Sequence, residues 1–414
     1  MPAWCFLPLP IYALKVHRVS ISHPNLVAEI AAEILRTGPI TFARFMELAL
    51  YHPRFGYYMR QTEGVNEERI GWSGDYYTSA DVHPVLAQAL ARQIRQVDDL
   101  LGRPDPFTVV EMGAGKGLLA RDFLAACAAG TDSFYHRLRY VLIERSPAMR
   151  ACQQRYLAPW LDSPNTVSWV NELEEFPTGS VTGVVFSNEL VDAFPVHRIR
   201  IEQGEPKEVF VEYRDGRFEE RLQVLSTPGL SESLRRLASL GVTLPEGYTT
   251  EINLHALAWM KDVARALGSG FVITIDYGHT AQDLYGPDRP RGTLLCYYSQ
   301  MASESPYSRV GLQDMTAHVD FTSLAITGEE GGLHVTGFTN QMSFLMGLGV
   351  ERTLESFEPG SSEFQSVIQL LRPEGMGRTF KILIQHKGIT EPQLDGLRFK
   401  PFFGSALALR ESKV

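Results

Sequence analysis

Residues 107–126 read FTVVEMGAGKGLLARDFLAA, and this stretch decides the fold. Phe107–Val110 is an apolar, β-branched run typical of a buried strand. Three alternate glycines, Gly113, Gly115 and Gly117, then lead into an amphipathic helix. Because glycine has no Cβ, the backbone can turn tightly here and approach a ligand closely. The free N–H groups at the start of the helix point toward whatever is bound.

The glycine loop leaves two nucleoside ligands open. A dinucleotide uses G-x-G-x-x-G, in which the helix N-terminus takes the pyrophosphate. This chain instead has G-x-G-x-G, preceded by the acidic Glu111. A carboxylate there would repel a pyrophosphate, but it suits the ammonium group of S-adenosyl-L-methionine (SAM). An ordinary glycine-rich turn without a ligand is the third interpretation.

A second acidic residue follows the next predicted strand. Tyr140–Ile143 is apolar and runs into Glu144, after which Ser146 and Pro147 have the N-cap and N1 positions of a helix. A carboxylate at the tip of the second strand of a Rossmann-like sheet can accept hydrogen bonds from both ribose hydroxyls. Glu144 therefore supports a nucleoside ligand without choosing between SAM and NAD. The alternative is a solvated surface charge.

Polar side chains also follow a later strand. Strands and helices alternate after the glycine loop, which predicts a parallel sheet. Val181–Ser187 is apolar and is followed by Asn188, Glu189 and Asp192. Ligands bind at the carboxyl ends of such strands, so we expect Asn188 beside the cofactor and the two carboxylates beside an acceptor. Alternatively, Asn188 and Asp192 cap the next helix.

Two other pairs of residues have two interpretations each. Thr78 and Ser79 precede a long helix, where they either act as caps or lie over the amino acid end of the cofactor. His318 and Asp320 lie in the long segment 280–325, which is typical of a lid or substrate loop rather than framework. Asp320 could orient His318 as a catalytic base, or the two could form a structural hydrogen bond. No ligands at metal spacing accompany them, and no metal is predicted.

Composition narrows the class of protein. The 414 residues carry a net charge of −9, which argues against broad nonspecific binding to nucleic acid or anionic membranes without excluding a local basic groove. Hydrophobic residues make up 44% and charged residues 21%, as in ordinary globular proteins. The four cysteines lack metal or disulfide spacing, which predicts free thiols. No apolar run reaches the length of a membrane helix, so we expect a cytoplasmic protein without membrane insertion.

The order of several sequence blocks resembles the MidA-type methyltransferases, the family that includes the mitochondrial complex I assembly arginine methyltransferase. The blocks lie between about residues 22 and 390 and read YHPRFGYYM, GDYYTS, VVEMGAGKG, NELVDAFPV, ITIDYGH, GTLLCYY, DMTAHVDFTSL and FKILIQ. The glycine block of the family is usually closer to E-L-G-P-G-x-G. This chain has Met112 and Ala114 there, which should keep the turn.

The resemblance implies a class I SAM-dependent methyltransferase fold. This is an α/β protein with a Rossmann-like seven-stranded sheet, an N-terminal helical region and inserted substrate or lid segments. By matching motif positions, Glu111 and the three glycines would hold the methionine part of SAM, and Glu144 the ribose. Thr78 and Ser79 would border the cofactor.

On the acceptor side, the resemblance implies that Glu189 and Asp192 face an arginine of a protein substrate. For the mitochondrial members of the family, this substrate is a subunit of complex I. The expected location is cytoplasmic, or the mitochondrial matrix if the protein is eukaryotic, and a homodimer is left open. Two rivals remain: an NAD-dependent oxidoreductase and a non-catalytic SAM-binding assembly factor. The predicted division is a disordered leader (1–21), a helical region (22–104), a methyltransferase core (105–390) with insertions at about 198–250 and 280–330, and a tail (391–414).

Overall fold

The computed structural model describes residues 22–60, 71, 74, 75, 77–131, 133–161, 167–401, 403, 404 and 407. The predicted leader, residues 1–21, lies outside this part of the chain. None of the helices described combines the length and the hydropathy that crossing a membrane requires.

Helices and strands alternate along the described chain. The helices are α1 (Pro24–Thr37), α2 (Phe42–Tyr51), α3 (Ser79–Val82), α4 (Val85–Leu100), α5 (Leu118–Ala128), α6 (Phe134–Arg137), α7 (Pro147–Tyr156), α8 (Ala158–Leu161), α9 (Pro228–Ser239), α10 (Leu254–Ala266), α11 (Ala281–Leu284), α12 (Phe321–Glu330), α13 (Gln341–Gly347), α14 (Val350–Glu355), α15 (Ser362–Leu371) and α16 (Met376–Thr379). The strands are β1 (Ile40–Thr41), β2 (Phe107–Met112), β3 (Leu138–Ile143), β4 (Val167–Val170), β5 (Val181–Asn188), β6 (His197–Glu202), β7 (Glu205–Arg214), β8 (Arg217–Gln223), β9 (Thr249–Ile252), β10 (Leu267–His279), β11 (Leu295–Tyr298), β12 (Met301–Ser303), β13 (Asp314–Thr316), β14 (Val319–Asp320), β15 (His334–Asn340) and β16 (Phe380–Lys387).

The main sheet has the strand order β15-β16-β10-β5-β2-β3-β4, and β14 pairs with the end of β10. Neighbouring strands from β10 to β4 are parallel, whereas β16 runs antiparallel between β10 and β15. This confirms the predicted seven-stranded class I sheet with an antiparallel pair at one edge. Strands β3 and β4 lie on one side of β2, whereas β5 and β10 lie on the other side. The boundary between β2 and β5 is therefore the topological switch point, where open α/β sheets bind ligands.

Both faces of the main sheet are covered by helices. Successive strand residues face opposite sides, so Val109 and Val110 enter different cores. The Val109 side is packed against α4 and α5, and the Val110 side against α10 and α12. This double covering explains the continuous apolar runs that mark β2, β3, β5 and β10 in the sequence.

The predicted helix boundaries follow from their capping residues. Thr41 Oγ1 accepts a hydrogen bond of 3.1 Å from the N–H of Arg44 at the start of α2. Ser146 caps α7, and Pro147 has the first helical position. Gly38 ends α1 with φ +85°, a conformation that suits glycine.

A second sheet, β1-β7-β6-β9 with β8 on β7, is built largely from the insertion near residue 198. A hairpin around Asp215-Gly216, a turn dipeptide in the sequence, joins β7 to β8. Helices α1 and α2 share a core with this sheet and with segment 280–325. In that segment β11, β12 and β13 form a small sheet, and Cys296 and Val310 are fully buried. The expectation of a loop without a framework role is therefore wrong, because these side chains fill a core.

Candidate active site

A cavity of about 430 Å³ opens at the carboxyl ends of β2, β3 and β5, beside the switch point of the main sheet. This volume lies within the usual range of ligand sites. Seven of the predicted site residues line it: Thr78, Glu111, Gly113, Gly115, Glu144, Asn188 and Glu189. The other four, Ser79, Gly117, Asp192 and His318, do not line it.

The glycine loop has the left-handed backbone that its sequence predicts. Gly113 has φ +78°, and a Cβ built there would lie 2.8 Å from Leu190 Cδ1. Gly117 caps α5 with φ +87°, and its Cβ would lie 3.2 Å from Gln153 Cγ. Gly113 therefore allows Leu190 of the cavity wall to pack close to the glycine loop, whereas Gly117 allows α5 to pack against α7.

The loop before α4 is joined to the glycine loop by an ion pair. Lys116 Nζ lies 2.7 Å from Asp81 Oδ1, and the N–H and hydroxyl of Thr78 each donate to Asp81 Oδ2 at 2.9 Å. Thr78 thus occupies the N-cap of α3 and also lines the cavity, so its two interpretations are compatible. Ser79 is buried, and its backbone N–H donates to Glu189 Oε1 at 3.1 Å.

Glu144 is half-buried at the tip of β3 and is held by two donors. Its Oε1 accepts from the N–H of Ser146 at 2.7 Å, and its Oε2 accepts from Gln153 Nε2 at 3.0 Å. Burial raises the pKa of Glu144, and these hydrogen bonds partly oppose the shift. A carboxylate has about four acceptor positions, so the two donors leave capacity for the hydroxyls of a ribose.

Gln153 is a site residue that the sequence analysis missed. The same Nε2 also donates to the carbonyl of Gly115 at 2.9 Å, while Oε1 accepts from Trp169 Nε1 at 2.9 Å. The side chain therefore joins the glycine loop to Glu144. Its signal was weak, since a glutamine on an amphipathic helix is usually exposed, but this one is fully buried.

Glu111 is a buried carboxylate at the end of β2, only 2% exposed. Burial raises its pKa to about 7, although a 2.6 Å hydrogen bond from the Tyr140 hydroxyl to Oε2 acts in the opposite direction. A cation beside Glu111 would favour its ionised form. The cavity wall here suits an ammonium group.

Glu189 stands at the tip of β5 and reaches the cavity. Its Oε1 accepts from Ser79 N–H and Asn188 Nδ2, and its Oε2 accepts from the Tyr277 hydroxyl, each at 3.1 Å. Burial is the main reason why its pKa is raised to about 8, and the neighbouring Asp276 adds to the shift. Asn188 thereby contacts the acceptor-side carboxylate as well as lining the cavity.

Asp192 lies behind the cavity wall and is 4% exposed. Burial raises its pKa, and the carboxylates of Asp276 and Asp314 raise it further. The short 3-10 turn Val191–Ala193 receives no side-chain cap from Asn188 or Asp192. Instead, its first N–H groups donate to Asp276, so the capping interpretation of those two residues is wrong.

The N-terminal region supplies aromatic walls that the sequence analysis did not assign. Tyr51 and Tyr58 line the cavity with their ring centroids 5.4 Å apart. The Tyr58 hydroxyl donates to Asp314 Oδ1 at 2.5 Å, and the Tyr51 hydroxyl donates to the carbonyl of Ala193 at 3.0 Å. The block YHPRFGYYM signalled a rigid aromatic turn, but nothing local indicated which surface it would meet.

His318 does not form the predicted pair with Asp320. Asp320 caps α12, accepting from the N–H of Ser323 at 3.0 Å and from its hydroxyl at 2.6 Å. The His318 ring lies 5.3 Å from that of His279, and its Nδ1 has no hydrogen-bond partner among the residues described. Burial, followed by the charge of Arg289, lowers the pKa of His318 to about 4. Asp320 therefore does not orient His318 as a base.

Comparison with known proteins identifies the class. A family model of S-adenosyl-L-methionine-dependent methyltransferases matches residues 89–339, more than half of the chain. The chain belongs to this family. This methyltransferase is 28% identical to the Drosophila melanogaster protein named protein arginine methyltransferase NDUFAF7 homolog, mitochondrial, over 90% of the chain and 87% of the relative. The human protein arginine methyltransferase NDUFAF7 is 24% identical, with 89% and 86% covered.

A solved structure from Burkholderia thailandensis has the same architecture as the methyltransferase. It is a COG1565 superfamily member described as a methyl transferase and bound to S-adenosyl-homocysteine. The two chains are 31% identical with a TM-score of 0.80, covering 91% of this chain and 95% of the other. These relatives confirm the MidA-type resemblance.

SAM is the cofactor of this methyltransferase family, and the residues present fit it. The cavity has a wall at Gly113 that a Cβ would fill, a buried carboxylate at Glu111 for an ammonium group, and Glu144 for a ribose. The family match decides between the two nucleosides in favour of SAM over NAD.

Proposed function

We propose that this methyltransferase transfers a methyl group to an arginine of a protein. The observation that carries the proposal is the acidic end of the cavity. Glu189 lines it, and the buried carboxylates of Asp192 and Asp276 lie behind it with raised pKa values. Mutual repulsion of such groups is relieved by a cation, and a guanidinium is a planar cation that a carboxylate can hold by charge-assisted hydrogen bonds.

The residues have separate tasks in this proposal. Glu111, Gly113, Gly115 and Glu144 hold SAM, with Thr78 at its border. When bound, SAM supplies a methyl group on a positively charged sulfur. Glu189 holds the guanidinium, and with a pKa raised to about 8 it can accept the proton that the nitrogen loses on methylation.

Asp192 and His318 are treated differently from their sequence assignments. Asp192 lies behind the cavity wall, so we propose that it attracts the guanidinium through its charge rather than by contact. His318 is outside the cavity lining and is not part of the proposed mechanism.

The names of the relatives also suggest a substrate. The Drosophila and human relatives are named protein arginine methyltransferases and mitochondrial. The MidA-type family that the chain resembles includes the mitochondrial complex I assembly arginine methyltransferase, so we propose that the acceptor is a subunit of respiratory complex I, methylated in the compartment where that subunit is assembled.

The test is direct labelling of an acceptor. Purified protein is incubated with SAM labelled in its methyl group and an extract of cells that lack the gene, and labelled bands are analysed by mass spectrometry. We expect methylarginine on one dominant band, and on a complex I subunit if the substrate proposal holds. Label found on lysine, or on small molecules alone, would contradict arginine methylation.

A further inference from the structure

The backbone at Glu189 has an unusual conformation. Glu189 has φ +54°, a left-handed value that costs a non-glycine residue about 1–2 kcal/mol. It follows the last residue of β5, and its N–H donates to the carbonyl of Ile275 at 3.0 Å. Such conformations persist only when surrounding contacts hold them. The residues that follow Glu189 must therefore be held in place by other contacts.

The contacts that fix this turn come from a single carboxylate on the neighbouring strand. Asp276 Oδ2 accepts from the N–H groups of Leu190, Val191 and Asp192 at 3.2, 2.8 and 3.3 Å. Asp276 Oδ1 accepts from the N–H of Tyr277 at 2.8 Å. The carboxylate is fully buried, and bonds from backbone N–H groups to a carboxylate are stronger than neutral ones.

Asp276 also lies outside the cavity lining, so it acts through Glu189 and not on a ligand. We propose that Asp276 is a positioning residue that holds residues 190–192 in the turn that directs the Glu189 side chain into the cavity. This inference rests on the proposed function for its catalytic consequence only. The turn itself can be examined in the absence of any acceptor.

The charge of Asp276 provides a readout that a merely structural role would not change. Glu189 is surrounded by Asp276 and Tyr277 from β10, by Asp192 of its own turn, and by the Ser79 N–H and Asn188 amide. Among these, the negative charge of Asp276 raises the pKa of Glu189. Replacing Asp276 by neutral asparagine should therefore lower that pKa and move the acidic limb of the pH–rate profile to lower pH.

The experiment uses Asp276→Asn in the full chain, with Asp320→Asn as the matched control. Like Asp276, Asp320 lies outside the cavity lining and accepts a backbone N–H, but its donor is Ser323 of α12 and not the turn at Glu189. We expect Asp276→Asn to lower kcat about tenfold or more, to leave the SAM Kd unchanged, and to shift the acidic limb. Asp320→Asn should change neither kcat nor the pH profile. Equal losses in both variants, with an unmoved profile, would overturn the proposal.

Hydrogen exchange of the wild-type protein provides a second measurement that does not depend on the variant folding. We expect the amides of residues 190–192 to exchange on the order of 100-fold more slowly than those of an open loop, with this protection lost in Asp276→Asn. Fast exchange in the wild type would overturn the inference. Because no acceptor is needed, this result is independent of whether arginine methylation is confirmed.

Discussion

The two ends of the cavity are built in different ways. The cofactor end comes from the tips of β2 and β3 and from α7, all within residues 111–153. The acceptor end combines α2 and the turn after it, the β5 tip, the end of β10 and β13, which are far apart in the chain. One end is therefore a local motif, and the other exists only once the tertiary structure has formed.

The electrostatics of the two ends also differ. At the cofactor end Glu144 is held by the N–H of Ser146 and the amide of Gln153. At the acceptor end burial raises the pKa values of Glu189 and Asp192, and the charge of Asp276 raises both further. The comparison teaches that Glu144 at the cofactor end is held ready for hydroxyl donors, whereas the carboxylates clustered at the acceptor end favour a cation.

The largest expected effect is at the acceptor end. Glu189→Gln removes the charge that holds the guanidinium and the base that takes its proton, so kcat/KM for the acceptor should fall about 1000-fold. The SAM Kd should stay within about threefold. Steady-state kinetics and calorimetry measure the two values. Glu251→Gln is the control, because Glu251 is a buried glutamate that accepts the N–H of Thr293 outside the cavity lining. A Glu189→Gln enzyme with normal turnover would break the proposed division of the cavity.

The next effect concerns the cofactor end. Gly113→Ala places a Cβ 2.8 Å from Leu190 Cδ1. Leu190 also lines the cavity, so relief of this clash should displace it into the SAM site. A loss of about 2 kcal/mol corresponds to about 30-fold weaker SAM binding. Gly216→Ala is the matched control, since Gly216 has the same φ of +78° but nothing within 4 Å of a Cβ. Both variants should lose stability, and only the first should lose SAM affinity in titration calorimetry.

A smaller effect tests the ribose contact. Glu144→Gln keeps an oxygen for the N–H of Ser146 but loses the charge and half of the acceptor capacity, so SAM binding should weaken about tenfold. An analogue that lacks the 2′-hydroxyl should bind the wild type and the variant with more similar affinity. If the analogue shows the same tenfold difference in affinity between wild type and variant as SAM does, Glu144 does not bind the ribose 2′-hydroxyl.

The pH dependence of turnover sharpens the contrast further. Glu189 has a pKa raised to about 8 by burial, and only its ionised form holds a cation and accepts a proton. Acceptor kcat/KM should therefore rise with pH, by about fivefold between pH 7 and 8, and level off above pH 9. SAM binding measured over the same range should change less. A flat kcat/KM profile from pH 6 to 9 would contradict the role of Glu189.

The last prediction concerns stability and not activity. Burial raises the folded-state pKa of Glu111 to about 7, above the value of about 4.5 in an unfolded chain. Its contribution to stability is complete below about pH 4.5 and is lost as the pH rises through about 7. Glu111→Gln removes this loss, so the stability of the variant relative to the wild type should increase from pH 5 to pH 8. The difference in free energy of unfolding should change by at most about 3 kcal/mol, and melting temperatures measured over this pH range follow it. A constant difference over this range would show that Glu111 is not perturbed.

The sequence brought Glu111, Gly113, Gly115 and Glu144 to one cavity because its information there is local. Glu111, the glycines and Glu144 each follow an apolar strand directly, and parallel strand ends meet at one edge of a sheet. The sequence analysis did not identify Gln153, because the burial of this side chain depends on Trp169 and on the packing of α7 against Gly117.

The acceptor end could be predicted only in part. Because both residues follow β5, the sequence placed Glu189 at the cavity, but Asp192 lies behind its wall. The bonds from their turn to Asp276 depend on the register that pairs Asn188 with Ile275. The pairing of Tyr58 with Asp314 joins residues 256 positions apart, which no local pattern reveals. The catalytic role of His318 was predicted from its proximity to Asp320 in the sequence. In the structure Asp320 caps α12 and does not contact His318 as a pair.

The core shared by α1, α2 and segment 280–325 has a consequence for how the protein is made. Phe42 and Phe45 pack with Val211 and Met315, and the N–H of His23 donates to the carbonyl of Val310. On the ribosome, the first helices emerge long before the partners that cover them, and uncovered apolar surface is prone to aggregation. We therefore expect the nascent N-terminal helices to keep this apolar surface uncovered until synthesis has passed residue 317.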